Sequence, residues 1–370
     1  MKKTFFHLIQ DVQKKGECNH CGGCVTFCSA MNYGALGLDD HGKPFYKDID
    51  KCNECGLCYI ICPQIKELDE EIKRNAQWES PLGHVISFAV TRAKDPDLVG
   101  KATDGGVVTA ILNHLFDTRR IDGAIVSMST PHGRIPWLAR TSEEIMDSAG
   151  SHFGSSHGIY RFARDYATFS PSVKALGETR AMDRIAFVGT PCQINTIRKM
   201  QALGIVPSDV IPFCFGLFCS GNYSFQDKLF SELEAKYQFT YVDVIKINIK
   251  EDFIFSLASG KQVHIPVAEL TGVKRVACKF CRDFSAEYAD ISFGGLGADH
   301  GWTTSIIRTP VGREVFRDAL EKVLVSFRFE DNPKYITQAE EKIFKASRQK
   351  KEMSDQNHMA RKTKGIRVIQ

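Results

Sequence analysis

The sequence predicts an α+β protein in two parts, a small cysteine-rich N-terminal module followed by a mixed α/β body. Three observations carry this reading. The 370 residues include 13 cysteines, and eight of them fall before residue 63 in two runs of the same spacing. Beyond residue 80, short apolar runs alternate with stretches of helical periodicity. An apolar content of 43% with 25% charged residues excludes wholesale disorder. The longest nearly apolar run, Val210 to Cys219, contains Pro212 and is too short to span a bilayer. No apolar signal-peptide core precedes Asp11, so the expectation is a cytoplasmic protein, peripheral to a membrane only through a partner complex. An odd cysteine count in that setting argues against a disulfide framework and for metal or redox chemistry.

The N-terminal module comes first. Cys18, Cys21, Cys24 and Cys28 follow C-x2-C-x2-C-x3-C, and Cys52, Cys55, Cys58 and Cys62 repeat it 34 residues on, with Pro63 after the last. This is the spacing of a bacterial-type ferredoxin domain carrying two [4Fe-4S] clusters. A cube needs three thiolates from one tight loop and a fourth from elsewhere in the chain. In such domains the fourth cysteine of each run serves the other cluster. That assigns Cys18, Cys21, Cys24 and Cys62 to one cube and Cys52, Cys55, Cys58 and Cys28 to the other. Gly22, Gly23 and Gly56 permit the turns between ligands. Ser29 stands where proline usually follows the first run, and no ligand is lost by it. Zinc, which favours paired C-x2-C units with histidine, fits two complete runs poorly. His20 reads as a loop residue that tunes potential.

Residues 64–82 read as a charged helix and linker, which ends the ferredoxin domain at residue 80. Over residues 81–335 the pattern predicts strands at Val85–Val90, Gly123–Met128, Ile185–Val188, Val210–Cys219, Val242–Ile249, Ile291–Gly294 and Thr304–Arg308. Helices are predicted at Val107–Phe116, Pro191–Leu203, Phe225–Tyr237 and Gly312–Val323. Residues 336–370 form a basic helical tail. From Lys342 to Gln370 nine Lys and Arg face two acidic residues, so the formal +4 of the chain conceals a body of −3. A basic body suited to nucleic acid is absent. The tail reads either as a solvated helix or as a docking element for a partner, with little apolar face for a membrane surface.

Five cysteines remain. Cys192 opens a predicted helix in Gly189-Thr-Pro-Cys-Gln193, where a helix N-terminus favours an anion. Cys219 ends a strand, and Cys278-Lys-Phe-Cys281 is a C-x2-C pair. Cys214, among Phe213, Phe215 and Phe218, reads as a core thiol. From spacing alone the other four could equally be scattered core residues, and thioredoxin-like chemistry at Cys278 and Cys281 is a further option.

Several segments together resemble the family of coenzyme F420 hydrogenase and dehydrogenase beta subunits. They are Ala102-Thr-Asp-Gly-Gly-Val-Val-Thr109, Gly189-Thr-Pro-Cys-Gln193, Arg198-Lys-Met200, Leu217-Phe-Cys219, Cys278-Lys-Phe-Cys-Arg-Asp-Phe-Ser-Ala-Glu-Tyr-Ala-Asp290 and Gly294-Gly-Leu-Gly-Ala-Asp-His-Gly-Trp-Thr303. The motifs lie in order from about residue 85 onward. With its N-terminal module, the chain looks similar to the input subunit of F420H2 dehydrogenase. The resemblance implies that residues 81–335 form an FAD-binding domain with a third [4Fe-4S] cluster on Cys192, Cys219, Cys278 and Cys281, leaving Cys214 free. It places flavin contacts at Asp104, Gly105, Gly106, Thr109, Ser155, Ser156, Gly295, Gly297, Trp302 and Thr303. Without the family, Asp104-Gly-Gly is an ordinary turn before a helix, and Trp302 is plain core. The chain departs from the family at Gly150-Ser-His152, where a lysine is expected. His152, the tentative catalytic neighbour, is cationic only below its pKa.

The resemblance thus implies an F420-dependent oxidoreductase subunit. In that role FAD takes a hydride from reduced coenzyme F420, or returns one, and single electrons pass through three [4Fe-4S] clusters to a partner. That partner would be a heterodisulfide-reductase-like complex, a membrane dehydrogenase or similar. Flavin is the adapter between hydride and single electrons. Lys101, His152, Arg161, Lys274 and Arg275 are candidates to meet the anionic tail of F420. The rival readings are a ferredoxin-dependent reductase, an electron-relay subunit without F420, and a zinc-binding interaction module.

Overall fold

The computed structural model describes residues 2–40, 42–130, 133–150, 182–225, 228–327 and 334–364. The two cysteine runs fold alike. His20 and Glu54, 34 residues apart, both adopt left-handed backbone, as do Gly22 and Gly56 at the same offset. Each of these glycines caps a short helix, α2 (Gly23–Ala30) after α1 (Phe5–Leu8), and α3 (Leu57–Ile60). Between them lies an antiparallel hairpin of β1 (Leu36–Leu38) and β2 (Pro44–Tyr46). The charged helix expected over 64–82 is confined to α4 (Asp69–Asn75). Gln77 turns left-handed, and the Trp78 indole donates to Glu287 of the body at 2.6 Å, which draws the chain out of the helix.

The body is built on a sheet of eight strands among the described residues, in the order β13-β3-β12-β11-β7-β6-β4-β5. They are β3 (Ser87–Ala93), β4 (Gly123–Thr130), β5 (Gly133–Ala139), β6 (Ile185–Gly189), β7 (Phe213–Leu217), β11 (Ile291–Gly294), β12 (Thr303–Ile307) and β13 (Leu324–Ser326). The central β4, β6, β7 and β11 run parallel, with antiparallel strands at both edges. Alternate residues along β6 serve opposite faces: Ala186 joins one core, Ile185 and Phe187 the other. The first face is covered by α6 (Val107–Asp117), which follows α5 (Pro96–Lys101), by α7 (Ser142–Asp147), and by α10 (Pro310–Lys322) through Val315 and Phe316. The second is covered by α8 (Pro191–Ala202) through Ile194, Ile197 and Met200.

Phe27 and Ile61 of the N-terminal module belong to this second core. The module is therefore packed into the body rather than hung on a linker. A separate antiparallel sheet of β8 (Val244–Ile249), β9 (Asp252–Leu257) and β10 (Gln262–Pro266) is closed by α9 (Lys228–Tyr237) around Phe230, Phe253 and Phe255. The chain ends in a long helix, α11 (Tyr335–Lys364). Its inward residues Ala339, Ile343, Ser347 and Ser354 are buried at helical spacing.

One side chain ties the segment that enters β3 to β11 and to the loop before it. Arg308 is buried beside β12 and uses all five of its donors. They reach Ser292 Oγ (2.7 Å), the carbonyls of Leu82 (2.6 Å), His84 (2.9 Å) and Ser285 (3.1 Å), and Ser285 Oγ (3.0 Å). Burial pushes its pKa down to about 10, against the pull of Asp283 and Glu287, so it stays charged at neutral pH. Replacing it by methionine strands one buried carbonyl and two half-buried ones. Arg308→Met should cost about 3–5 kcal/mol, read as a lowered midpoint of chemical unfolding, with Arg308→Lys intermediate.

Candidate functional site

The cysteines converge in three sets. A cavity of about 400 Å³ is lined by Cys18, Cys21, Cys24 and Cys62, together with Leu8, Val12 and Thr196. A second, of about 350 Å³, is lined by Cys28, Cys52, Cys55 and Cys58, with Phe5, Phe27 and Tyr33. Both volumes include space open to solvent. Each set takes three thiols from one run and one from the other. Backbone N–H groups of His20 and Gly23 face Cys18 and Cys21, and that of Gln64 faces Cys62. Burial pushes the thiols up, Cys18 to about 11 and Cys58 to about 12, with neighbouring cysteines adding to the rise. Thiolates gathered in this way require a cationic core among them. No three His, Cys, Asp or Glu side chains among the described residues close in on a single-ion site. The thiols surround spaces rather than points, which suits a cube better than one zinc ion.

The third set comprises Cys192, Cys219, Cys278 and Cys281, whose thiols act on one another across the loops that carry them. Cys192 lies in the first turn of α8, which Thr190 and Gln193 cap reciprocally. Cys219 follows β7, its N–H donating to Phe284 O at 2.8 Å. The N–H of Asn222 points at Cys278 Sγ from 3.3 Å. Cys214 lies apart in the second core, its N–H on Asp290 at 2.8 Å.

Helix α8 joins this set to the N-terminal module along a single face. Cys192 is at its start. One turn on, Thr196 Oγ1 donates to Cys192 O at 2.9 Å and lies 3.7 Å from Cys21 Sγ. The next turn carries Lys199, fully buried, with its ammonium 3.1 Å from Cys62 O, in contact with Ile65 O, and 3.0 Å from Asp69. Gly23 lets the two pieces approach, since a Cβ there would sit 2.3 Å from Thr196 Cγ2. The Cys18 loop is also held by Arg275 Nη1, which donates to Asn19 O at 2.8 Å.

The tail helix closes over the third set, so its charges face inward more than the sequence suggested. Lys350 donates to Cys219 O at 2.5 Å. Desolvation opposes its charge, but Cys281, Cys219, Cys278 and Asp283 outweigh that and hold its pKa above the usual lysine range. Ser354 Oγ donates to Phe280 O at 2.7 Å and Asn357 Nδ2 to Lys279 O at 2.8 Å. The Arg361 guanidinium lies 3.8 Å over the Phe280 ring and pairs with Glu17. Lys351 pairs with buried Glu287. A freely solvated or purely docking helix does not describe this arrangement.

A second site gathers around Asp104, which is half-buried before α6. Its carboxylate accepts from Asn248 Nδ2 at 2.9 Å. Burial pushes its pKa up, while Lys250, Asn248 and Lys246 pull it down. The Gly105 N–H donates to Thr303 Oγ1 at 2.9 Å, and Gly106 enters α6 with φ +72° and no side-chain cap. The first-turn N–H groups of α6 are therefore left to another acceptor. Beneath them the hydroxyls of Thr91 and Ser305 are buried without a partner. Gly295 is required because a Cβ there would sit 2.7 Å from the Asp104 carboxylate. Thr109 lies in the first turn of α6 and is buried. Gly297, with φ +88°, abuts Ala339 of the tail helix, and Trp302 is sandwiched by Arg92 at 4.7 Å and the Phe327 edge at 4.8 Å. An open N-terminal turn, orphaned hydroxyls and the cations Lys246 and Lys250 fit an anionic ligand such as the pyrophosphate of a dinucleotide.

His152, Ser155, Ser156 and Arg161 lie outside the described residues. The remaining cations proposed from the sequence do not meet at one entrance. Lys101 pairs with Asp147 at 3.6 Å, Lys274 faces the third thiol set, and Arg275 faces the Cys18 loop. Lys246, Asn248 and Lys250 are the residues the sequence reading passed over. Their signal was the alternation along β8, which puts even-numbered positions on one face. The two sites are neighbours: Phe218, next to Cys219, packs on Gly294, and Gly295 packs on Asp104.

Comparison with known proteins agrees with this division. Residues 88–160 and 182–332 match the N-terminal and C-terminal profiles described as coenzyme F420 hydrogenase/dehydrogenase, beta subunit, together more than half of the chain. Residues 10–75 match a 4Fe-4S dicluster domain. The chain is 29% identical over 329 residues to a coenzyme F420-dependent sulfite reductase of Methanocaldococcus jannaschii, covering 85% of this chain but spanning only 47% of that protein. It is 28% identical to the beta subunit of the coenzyme F420 hydrogenase of Methanococcus voltae, over 78% of this chain and 99% of that one. It is 26% identical to a subunit of the F(420)H(2) dehydrogenase of Methanosarcina mazei, over 85% and 86%. A chain of the F420-reducing [NiFe] hydrogenase complex of Methanosarcina barkeri superposes with a TM-score of 0.67 at 27% identity, over 78% and 96%.

The contact between Gly23 and Thr196 gives a direct test of how the third set meets the Cys18 set. With a cluster on each of the two sets, Gly23→Ala should force α2 away from α8 and weaken magnetic coupling between the reduced centres in electron paramagnetic resonance, with iron content unchanged. Adding Thr196→Ser, which removes only Cγ2, should restore the coupling.

Proposed function

Since the chain belongs to the family of coenzyme F420 hydrogenase/dehydrogenase beta subunits, we propose that it is the F420-linked oxidoreductase component of a larger complex. It exchanges electrons between coenzyme F420 and a partner protein, using FAD and three [4Fe-4S] clusters. When bound, FAD supplies the exchange between a two-electron hydride and single electrons, and the clusters carry electrons one at a time. The observation that carries this reading is the line of sites: the Asp104 turn, the Cys192 set, the Cys18 set and the Cys28 set, each beside the next.

Within that reading each residue has a task. The open first turn of α6, with Gly105 and Gly106, takes the pyrophosphate, and Gly295 leaves room for Asp104 beneath it. Lys246 and Lys250 add positive charge beside the carboxylate. Burial lowers the pKa of both, and the Asp104 carboxylate opposes that lowering. Cys192, Cys219, Cys278 and Cys281 hold the first cube, Cys18, Cys21, Cys24 and Cys62 the second, and Cys28, Cys52, Cys55 and Cys58 the third. Thr196 and Gly23 set the approach between the first two. The Cys52–Cys58 loop, around which Phe6, Phe45 and Ile49 are exposed, would face the partner. Substrate and partner contacts do not require a nucleophile or an acid–base dyad, because orienting two ring systems at hydride distance is the main demand.

Anaerobic addition of reduced coenzyme F420 to the protein with its iron and flavin intact should bleach flavin and iron–sulfur absorbance while oxidised F420 appears. Bleaching by reduced ferredoxin alone would sink the F420 assignment and favour the ferredoxin-dependent reading. Cys278→Ser should lose about four irons per chain. The double variant Lys246→Met/Lys250→Met should purify with less FAD per chain while keeping its iron.

A further inference from the structure

The tail helix α11 is basic, yet its cations do two different things. Lys345 and Arg348 are exposed, whereas Lys350 enters the loops that carry Cys219, Cys278 and Cys281. Its position is fixed by the contacts that follow on the same helix. Ser354, Asn357 and Arg361 reach Phe280, Lys279 and the Phe280 ring, so the helix is seated along the Cys278–Cys281 segment over three turns. Lys350 therefore has little freedom to withdraw into water. Its hydrogen bond to Cys219 O holds the ammonium beside the backbone of one thiol-bearing residue. Lys274 faces the same thiols and Lys350 itself, its stem packed so closely that a Cβ at Gly221 would meet Lys274 Cε at 2.4 Å. The start of α8 adds the positive end of its dipole at Cys192. Asp283 is the counter-charge within reach of Lys350.

We propose that Lys350 is a positioning residue for the Cys192, Cys219, Cys278 and Cys281 set, a fixed positive charge delivered by the tail helix that favours the reduced state of the cluster held there. This rests on the reading above that these four thiolates hold a [4Fe-4S] cluster. Adding one electron makes such a cluster one unit more negative. A cation held nearby, in surroundings that screen less than water, stabilises that added charge. The cluster next to the flavin site is then more readily filled than it would be without that charge, which suits the acceptor of the first single electron.

The test compares Lys350→Gln, which keeps a hydrogen-bond donor but drops the charge, with Lys350→Arg, which keeps the charge. Lys351→Met, which breaks the neighbouring pair with Glu287, controls for loosened docking of the helix. Each is titrated with dithionite at fixed ambient potentials, and the reduced fraction of each cluster is read by electron paramagnetic resonance. For Lys350→Gln the reduced-to-oxidised ratio of one cluster should fall about tenfold, which is 59 mV for a one-electron couple. Lys350→Arg and Lys351→Met should stay near the parent. Loss of about four irons from Lys350→Gln but not from Lys350→Arg would also support the proposal. An unchanged ratio in Lys350→Gln, equal shifts in Lys350→Gln and Lys351→Met, or iron loss from Lys350→Gln and Lys350→Arg alike would overturn it. If the parent protein carries only about eight irons and Cys278→Ser leaves that number unchanged, the cluster assignment itself fails, and the proposal falls with it.

Discussion

The rest of the molecule depends on one face of one helix. Residues 192, 196 and 199 of α8 follow one another at helical spacing, so whatever Cys192 touches is held in register with what Thr196 and Lys199 touch. Lys199 is fully buried and pairs with Asp69 while donating to carbonyls of the N-terminal module. A buried ammonium left without those acceptors would be costly. That makes the interface between module and body a condition of folding rather than a weak docking contact. The shared core, in which Phe27 and Ile61 pack with Ile194 and Ile197, says the same in apolar terms. Thr196 then sits between Cys192 and Cys21 because the helix leaves it no other place.

Electrostatics follow from that packing. Thiols brought together away from water are pushed toward their neutral form, and like charges among them add to the effect. The protein answers with cations placed one by one: Arg275 by the Cys18 loop, Lys199 by Cys62, Lys274 and Lys350 by the third set. Each is held by packing or backbone contacts, not left to sample solvent. The tail, which looked from composition like a surplus of positive charge, is in part a set of counter-charges for buried acidic and thiol groups. A net charge summed over the chain hides this, because it does not say which side chains face inward.

Much of the framework was legible in the sequence. The two cysteine runs, with a glycine at the same place in each, encode the left-handed turns at Gly22 and Gly56 directly. The alternation of apolar and helical stretches marked most strands of the central sheet to within a few residues. What was not legible depends on distance in the chain. Nothing local to Lys199 or Arg308 says that each will be buried, or to Lys350 that it will turn in toward a thiol set, since long cationic side chains are ordinarily solvated. Likewise Lys246, Asn248 and Lys250 belong to a small sheet whose neighbour, Asp104, lies more than a hundred residues earlier. The shortened helix after Pro63 had the same origin, a tryptophan whose partner Glu287 lies far along the chain in the body.

The site around Asp104 shows why such distant contacts matter to chemistry. A carboxylate at the start of a helix whose N–H groups await an anion would by itself repel that anion. Here Asn248 bonds it, and two lysines from the β8 region oppose its negative charge. Gly295 permits this closeness, and the same stretch of chain runs from Gly294, packed against Phe218, toward Cys219. A ligand seated on the α6 turn is thus held one side-chain layer from the nearest thiol set. In the converter of paired into single electrons proposed above, the separation between flavin and first cluster would govern the rate. Among the described residues the chain sets it by packing glycines against a phenylalanine and a carboxylate.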